Sequence, residues 1–159
     1  MKKKNILGID PGFGRCGFAV LEKNNSEILL KNFGVIKTKP QTNFSERLIE
    51  IAEDFQKILD KYKPTIISIE DLFFVQNIST GIQVAEVRGV LLFLSQKFGA
   101  QIFEPKPVEV KNIFTGNGKA TKVEIQKMAK ILFNLKKAPA VDDAADAIAI
   151  AYFAIQNNF

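Results

Sequence analysis

The sequence predicts a single α/β domain in which a mixed sheet of about five strands is flanked by helices. Three observations support this fold class. The chain has 159 residues, the usual length of one domain, so residues 1–159 are expected to form one unit. Its first part contains short apolar runs joined by turns, which is typical of strands. Apolar residues then recur at helical spacing, and further short apolar runs separate the helical segments.

The first part of the chain predicts an antiparallel meander. The first apolar run ends in Asp10, and the sequence PGFG at residues 11–14 then breaks the strand, because proline and glycine favour turns. A polar turn at residues 23–26 separates the next two runs. The three strands are expected over residues 5–10, 16–21 and 27–37.

Helical spacing begins near Phe44 and continues to the prolyl turn at Lys63 and Pro64. A buried strand follows and ends in Glu70. The remaining elements alternate, and Gly99 is expected to stop the second helix. They are a helix over residues 79–98, a strand over 101–103, and helices over 108–114, 122–135 and 140–156.

Composition excludes several classes of site. The chain has no histidine, so it cannot contain a Ser-His-Asp triad, a Cys-His dyad or a zinc site that uses histidine. One cysteine cannot form an intrachain disulfide. No apolar run approaches the roughly 18 residues of a membrane span, and no cleavable leader is evident, so a cytoplasmic protein without a membrane partner is expected. The net charge of +5 weakly favours polyanionic partners.

Carboxylates follow two predicted strands and begin the last helix. Asp10 and Glu70 end strands, and sites in open α/β sheets lie beyond the carboxyl ends of strands. Asp143 and Asp146 share a helix face, which Asp142 could share as well. Singly, each acid could be a turn residue, a solvated strand end or a favourable charge at a helix start. Together they would repel one another unless they bound hard cations, and two such ions support phosphodiester hydrolysis without histidine.

A lysine-rich segment favours contact with phosphates. Residues 106–137 contain eight lysines and only two glutamates. For Lys127 and Lys130, solvation of an outer helix face is the simpler interpretation. The sequence TGNGK at residues 115–119 differs, because its glycines let backbone N–H groups approach a phosphate, although a plain surface turn could have the same composition.

Five motifs, in order along essentially the whole chain, resemble the RuvC family of Holliday-junction resolvases. They lie at residues 6–12, 69–74, 83–89, 115–119 and 143–150. The resemblance implies a ribonuclease H-like fold and an endonuclease that resolves four-way DNA junctions by paired symmetric nicks, in recombination and repair. It also implies a homodimer, two Mg²⁺ ions per active site with Mn²⁺ as an alternative, and work beside the RuvA and RuvB branch-migration proteins.

Carried over by position, the resemblance assigns roles to individual acids. The expected catalytic and metal-binding carboxylates are Asp10, Glu70, Asp143 and Asp146. Some relatives carry a histidine at the position of Asp143, so direct ligation by this acid is our hypothesis, and Asp142 is an adjacent rival.

The resemblance also assigns DNA contacts. Lys111 and Lys122 are expected beside the scissile phosphate, and Lys119 is a further DNA-binding candidate. Phe73 is expected to stack on a base at the junction centre, with core packing or a dimer contact as its alternative. Arg88 could bind DNA or cross a dimer interface. The apolar helix over residues 82–98 is either that interface or a buried helix of one chain.

Three other classes of protein share some of these features. Another ribonuclease H-like nuclease, such as an RNA:DNA hybrid nuclease or a transposase core, would share the acids but is not expected to share the segment at residues 115–119. An actin-like nucleotide-binding module would need a second lobe that 159 residues do not provide. A non-catalytic junction-binding relative would gain nothing from acids that repel phosphates.

Overall fold

The computed structural model describes residues 3–72 and 78–158, and these ranges contain five strands and five helices. The strands are β1 (Lys4–Asp10), β2 (Arg15–Asn24), β3 (Glu27–Lys37), β4 (Ile66–Ile69) and β5 (Gln101–Phe103). The helices are α1 (Phe44–Tyr62), α2 (Ile78–Phe98), α3 (Pro107–Thr115), α4 (Lys122–Leu132) and α5 (Asp142–Asn158).

The strands form one mixed sheet in the order β3-β2-β1-β4-β5. The first three strands pair as the predicted antiparallel meander. β4 then joins β1 in parallel, and β5 joins β4 in parallel. The fold class predicted from the sequence is therefore confirmed, and the carboxyl ends of β1 and β4 lie side by side at one edge of the sheet.

Apolar side chains cover both faces of this sheet. Leu7 and Ile9 of β1 pack with Phe55 of α1 and Leu91 of α2. Ile6, the alternate neighbour along the same strand, packs instead with residues of α5. Because side chains alternate across a strand, every second position of β1 faces α5. Asp10 follows this alternation onto the α5 face.

Two glycines allow α5 to lie unusually close to the sheet. A Cβ atom on Gly8 would lie 2.2 Å from the carbonyl oxygen of Ala147, and one on Gly17 would lie 2.0 Å from the carbonyl oxygen of Asp143. Both distances are far below van der Waals contact, so no other residue fits at either position. This close packing fixes the first turns of α5 against β1 and β2.

The largest differences from the expected helix boundaries lie in α4 and α5. The fourth helix ends at Leu132 and not at residue 135, because Asn134 adopts a left-handed backbone with φ of 48°. The last helix begins at Asp142 and not at residue 140. The stop at Gly99, with φ of 85°, agrees with the prediction.

Helix α2 packs on one side only. Its buried residues, such as Val87 and Leu91, face α1 and the sheet. Ile78, Ile82 and Phe93 are exposed on its other side. By length and composition α2 could also cross a membrane, with a mean hydropathy of 1.3 over 18 residues. The expectation concerned uninterrupted apolar runs, and Glu86 and Arg88 interrupt α2, so one such helix is weak evidence for a span.

Candidate active site

The carboxyl ends of β1 and β4 bring Asp10 and Glu70 together. Ile9 pairs with Ile69 in the parallel register, and the backbone N–H of Glu70 donates to the carbonyl oxygen of Ile9 at 3.2 Å. Glu70 therefore stands beside Asp10 on the neighbouring strand. Asp146 approaches from α5, one turn after the point where that helix crosses Gly17. These three acids, which we call the acidic floor, come from three separate elements.

Burial and mutual repulsion perturb the acidic floor. Burial raises the pKa of Asp10 well above its usual range, and Glu70, Asp146 and Asp143 raise it further by repulsion. The pKa of Glu70 rises to about 7, chiefly because of burial and then because of repulsion from Asp146. The pKa of Asp146 rises to about 6, again chiefly because of burial. Ionisation of these groups is unfavourable without a nearby cation.

A second group of charges, which we call the charged rim, consists of Arg15, Lys122 and Asp142. Lys122 Nζ donates to a carboxylate oxygen of Asp142, and Arg15 Nη2 lies 3.8 Å from the other oxygen. Lys122 therefore lowers the pKa of Asp142, in contrast to the acids of the floor. In the rim, the carboxylate of Asp142 therefore already has two cationic neighbours from the protein.

Asp143 lies between the floor and the rim. Arg15 Nε approaches its Oδ2 atom at 2.9 Å, close enough for an ion pair, but no hydrogen bond joins the two atoms and this oxygen is buried without a hydrogen-bond partner. Burial raises the pKa of Asp143, and Arg15 opposes that rise. A metal ion that binds Oδ2 of Asp143 would therefore share this oxygen with the Arg15 guanidinium.

A cavity of about 160 Å³ opens between the floor and two lysines. It is lined by Glu70, Pro107, Val110, Lys111, Lys122, Ile125 and Asp146. The positive charges of Lys111 and Lys122 oppose the rise in the pKa of Asp146, so both lysines act electrostatically on the floor. Carboxylates on one wall and ammonium groups on the other are complementary to a phosphate that is bridged by metal ions.

No three histidine, cysteine or acidic side chains in residues 3–72 and 78–158 form a ready-made metal site. Repulsion among the carboxylates and the ion pair of Asp143 with Arg15 both act against a tight cluster. The chemistry of the donors nevertheless fits a hard divalent cation, because oxygen ligands, burial and raised pKa values coincide.

Two further DNA-binding candidates, Lys119 and Arg88, do not line the cavity. Lys119 is exposed on the turn that follows α3, where Gly116 caps the helix with φ of 78°. The backbone N–H of Lys119 donates to Asn117 Oδ1 at 3.0 Å, so this segment is a self-bonded turn as well as a candidate phosphate contact. Phe73 lies outside the described residues.

Arg88 points into the protein rather than away from it. Its side chain is only 13% exposed and forms ion pairs with Asp71 and Glu104. Its Nε atom donates to the carbonyl oxygen of Glu70 at 3.0 Å. Sequence reasoning missed Glu104 as its partner and also missed Arg15, since neither belongs to a motif. Arg15 could have been noticed from the strand register. Asp10 of β1 pairs with Gly17 of β2, and Arg15 precedes Gly17 by two residues on that strand.

Comparisons with known proteins agree on one family. The family model of crossover junction endodeoxyribonuclease RuvC matches residues 6–153. RuvC of Thermosipho melanesiensis is 43% identical over 155 residues, which cover 97% of this chain and 99% of that protein. RuvC of Petrotoga mobilis is 44% identical over 147 residues, which cover 92% of this chain and 90% of the relative.

Solved structures agree with the sequence relatives. The structure of Thermus thermophilus RuvC in complex with Holliday junction substrate superimposes with a TM-score of 0.88 at 29% identity, over 96% of this chain and 93% of that one. The yeast mitochondrial Holliday junction resolvase Ydc2 has a TM-score of 0.68 at 17% identity, over 94% of this chain and 77% of that one, and supports the fold alone.

Proposed function

The chain belongs to the RuvC family of crossover junction endodeoxyribonucleases, and from this premise we propose how its residues cut a four-way DNA junction. Its fold is ribonuclease H-like, and it is a Holliday junction resolvase, a hydrolase that acts on DNA in recombination and repair. Enzymes of this family depend on divalent metal ions. The observation that carries the proposal is the cavity that two acids of the floor, Glu70 and Asp146, line together with Lys111 and Lys122.

The acidic floor holds the metal. Asp10, Glu70 and Asp146 provide carboxylate oxygens from three elements, and a divalent cation would offset the burial and repulsion that raise their pKa values. We assign two Mg²⁺ ions to each active site, with Mn²⁺ as an alternative. When bound, two such ions supply an activated water and charge stabilisation at the leaving oxygen of a phosphodiester.

Asp143 completes the ligand set, and Asp142 does not. The contacts support this choice, because both carboxylate oxygens of Asp142 face cations of the protein, namely Lys122 and Arg15. Asp143 also contacts Arg15, through Oδ2 at 2.9 Å, but burial raises its pKa, whereas Lys122 lowers the pKa of Asp142. The role of Asp142 is to hold Lys122 at the mouth of the cavity.

Lys111 and Lys122 orient the scissile phosphate. Both line the cavity together with Glu70 and Asp146, so an ammonium group there lies close to any phosphate that the floor binds. Lys119 extends the basic surface along the DNA, and Phe73 is assigned to base stacking at the junction centre. Removal of Lys111 or Lys122 should slow cleavage more than it weakens binding.

The assembly that we assign is a homodimer. A junction must lose two strands of like polarity, and two copies of the chain provide two sites. The exposed apolar side chains Ile78, Ile82 and Phe93 of α2 support a second copy as the occupant of that face. The RuvA and RuvB proteins are the further partners, and the cytoplasm is the compartment where all three would act.

The test is cleavage of a synthetic mobile four-way junction in Mg²⁺, with a matched duplex and an RNA:DNA hybrid as competing substrates. The expected result is symmetric nicks on the junction only, and none with Asp10→Asn. Asp60→Asn is a matched control, since Asp60 is an exposed acid of α1 that accepts a hydrogen bond from Gln56 at 2.9 Å. Equal cutting of duplex or hybrid would overturn the proposal.

A further inference from the structure

Secondary structure holds Glu70 less firmly than it holds the other two acids of the floor. Asp10 is the last residue of a seven-residue strand, and Asp146 lies inside a helix of 17 residues. Glu70 comes after the last residue of β4, and the pairing of β4 with β5 ends at Ser68 and Phe103. The pairing of β4 with β5 therefore stops two residues before Glu70, whose carboxylate belongs to the acidic floor.

At Glu70, a side chain from α2 provides the hydrogen bond that a neighbouring strand would otherwise provide. Arg88 Nε donates to the carbonyl oxygen of Glu70 at 3.0 Å, while the N–H of Glu70 donates to Ile9 at 3.2 Å. The peptide groups on both sides of the Glu70 Cα atom are thus hydrogen-bonded, one to β1 and one to α2. A Cα atom held in this way restricts the directions that its side chain can take.

The guanidinium of Arg88 is itself oriented by two acids. Its Nη2 atom donates to Glu104 Oε2 and lies 3.3 Å from Asp71 Oδ1. Asp71 is tied to the segment after β5 as well, because its N–H donates to the carbonyl oxygen of Pro105 at 2.8 Å. We call these side chains, Arg88, Asp71 and Glu104, the Arg88 clasp. The clasp joins the end of β4, the segment after β5 and α2.

The burial of Arg88 disfavours its two alternative roles, which are DNA binding and a contact across a dimer interface. Its side chain is 13% exposed, whereas those of Asp71 and Glu104 are 42% and 50% exposed. A phosphate or a second protein copy would therefore meet the two acids before it met the guanidinium. The neighbours of Arg88 on α2, Val87 and Leu91, are fully buried, so the clasp rests on a rigid part of the core.

We propose that Arg88 is a positioning residue for Glu70, which it holds through the backbone carbonyl so that the carboxylate points into the metal site. The inference rests on the proposed function, because the direction of this carboxylate matters only if Glu70 binds the metal. Hydrogen-bonding partners behind metal ligands typically contribute 10- to 100-fold to metal affinity or activity. Glu104 and Asp71 act one step further away by orienting Arg88.

The test uses Arg88→Gln, Arg88→Lys and Glu104→Gln in the full chain. Three quantities are measured: Mn²⁺ affinity of the free protein by calorimetry, the Mg²⁺ concentration for half-maximal single-turnover cleavage, and junction affinity in EDTA. Arg88→Gln should weaken Mn²⁺ binding and raise the Mg²⁺ requirement about tenfold, with junction affinity within about twofold of the wild type. Glu104→Gln should give a change of about threefold in the same direction.

Each alternative gives a different result. Loss of junction affinity with unchanged Mn²⁺ binding would assign Arg88 to DNA, and a change of assembly mass would assign it to the dimer interface. Arg88→Lys keeps the charge but cannot donate as a planar fork, so full recovery by lysine would also overturn the proposal. Failure of the wild type to cut the junction would instead overturn the proposed function, and the Mn²⁺ measurement would still report on the clasp.

Discussion

The acidic floor and the charged rim meet on one helix, where Asp146 and Asp142 lie one turn apart. The pKa of Asp146 rises to about 6 because the group is buried among other acids. The pKa of Asp142 falls because Lys122 donates to it at the surface. Asp142 therefore already has Lys122 as its partner, whereas Asp146, one turn further along α5, is buried among acids.

This difference teaches which acids are suited to metal binding. A buried carboxylate with a raised pKa gains the most from a divalent cation, because the cation removes both repulsion and an unfavourable burial of charge. A carboxylate already paired with lysine would have to give up that partner first. The number of acids near the cavity is thus less informative than the partners that each acid already has.

The largest effect is expected from Asp10→Asn. Cleavage of the junction should fall by about 10³-fold or more, because the amide removes an anionic ligand from the centre of the floor. The metal-free variant should also unfold at a higher temperature than the wild type, since burial and three neighbouring acids disfavour the Asp10 carboxylate. Single-turnover cleavage and thermal unfolding in EDTA measure the two effects. A lower unfolding temperature would contradict the electrostatic description of the floor.

The stability of the metal-free protein should fall as pH rises from about 4.5 to about 7. In the folded state Glu70 keeps its proton up to a pKa of about 7, whereas the unfolded chain releases it near 4.5. The folded state therefore binds more protons in that window, and Glu70 alone lowers the free energy of unfolding by on the order of 3 kcal/mol at most. Urea unfolding in EDTA at pH 5 and pH 8 measures the difference.

Glu70→Gln is the control for this pH dependence. The variant should lose the part of the decrease that Glu70 contributes, because an amide does not titrate, whereas Asp10 and Asp146 still titrate with raised pKa values. Mg²⁺ should restore stability to the wild type at pH 8 and should not do so in the variant. An identical pH dependence in both proteins would show that other groups are responsible.

Asp142 and Asp143 are expected to differ in the size of their effects. Asp143→Asn should reduce cleavage by about 30-fold, since it removes a carboxylate whose pKa is raised by burial beside the floor. Asp142→Asn should reduce cleavage by about threefold to tenfold, because it only loosens Lys122. Single-turnover rates at saturating Mg²⁺ compare the two directly. Full activity of Asp143→Asn together with loss in Asp142→Asn would reverse their roles.

The smallest effect is expected for Lys127→Ala, which tests the boundary of the site. Lys127 is exposed on α4 and does not line the cavity that contains Lys122 of the same helix. Its removal should change the cleavage rate by less than about twofold, since an exposed charge is screened by water and salt. Lys122→Ala, compared under the same conditions, should slow cleavage much more. Equal losses would extend the catalytic surface beyond the cavity.

The pairing of Asp10 with Glu70 could be predicted from the sequence because both acids end strands. Parallel strands carry their carboxyl ends to one edge, so a local pattern was enough. The close approach of α5 to Gly8 and Gly17 was not predicted. Their contacts are with a helix more than 120 residues away in the chain, and the sequence around each glycine has no sign of that partner.

Contacts between distant charged side chains were the least predictable. The sequence left Arg88 open between DNA and a dimer interface, since nothing near it in the chain points to Glu104 or to the carbonyl of Glu70. Arg15 lies outside every motif, so its contacts with Asp142 and Asp143 were not predicted either. The end of α4 was misplaced because the spacing of apolar residues continues past Leu132, while the backbone of Asn134 turns away from the helix.

Metal binding to the free protein tests the central claim most directly, because it involves neither DNA nor turnover. Calorimetric titration with Mn²⁺ should show binding to the wild type, to Asp142→Asn and to the surface control Asp60→Asn. Binding should be lost, or weakened at least about tenfold, in Asp10→Asn and Glu70→Gln. Wild-type affinity in Asp10→Asn, or loss of binding in Asp142→Asn alone, would contradict the assignment of the metal to the acidic floor.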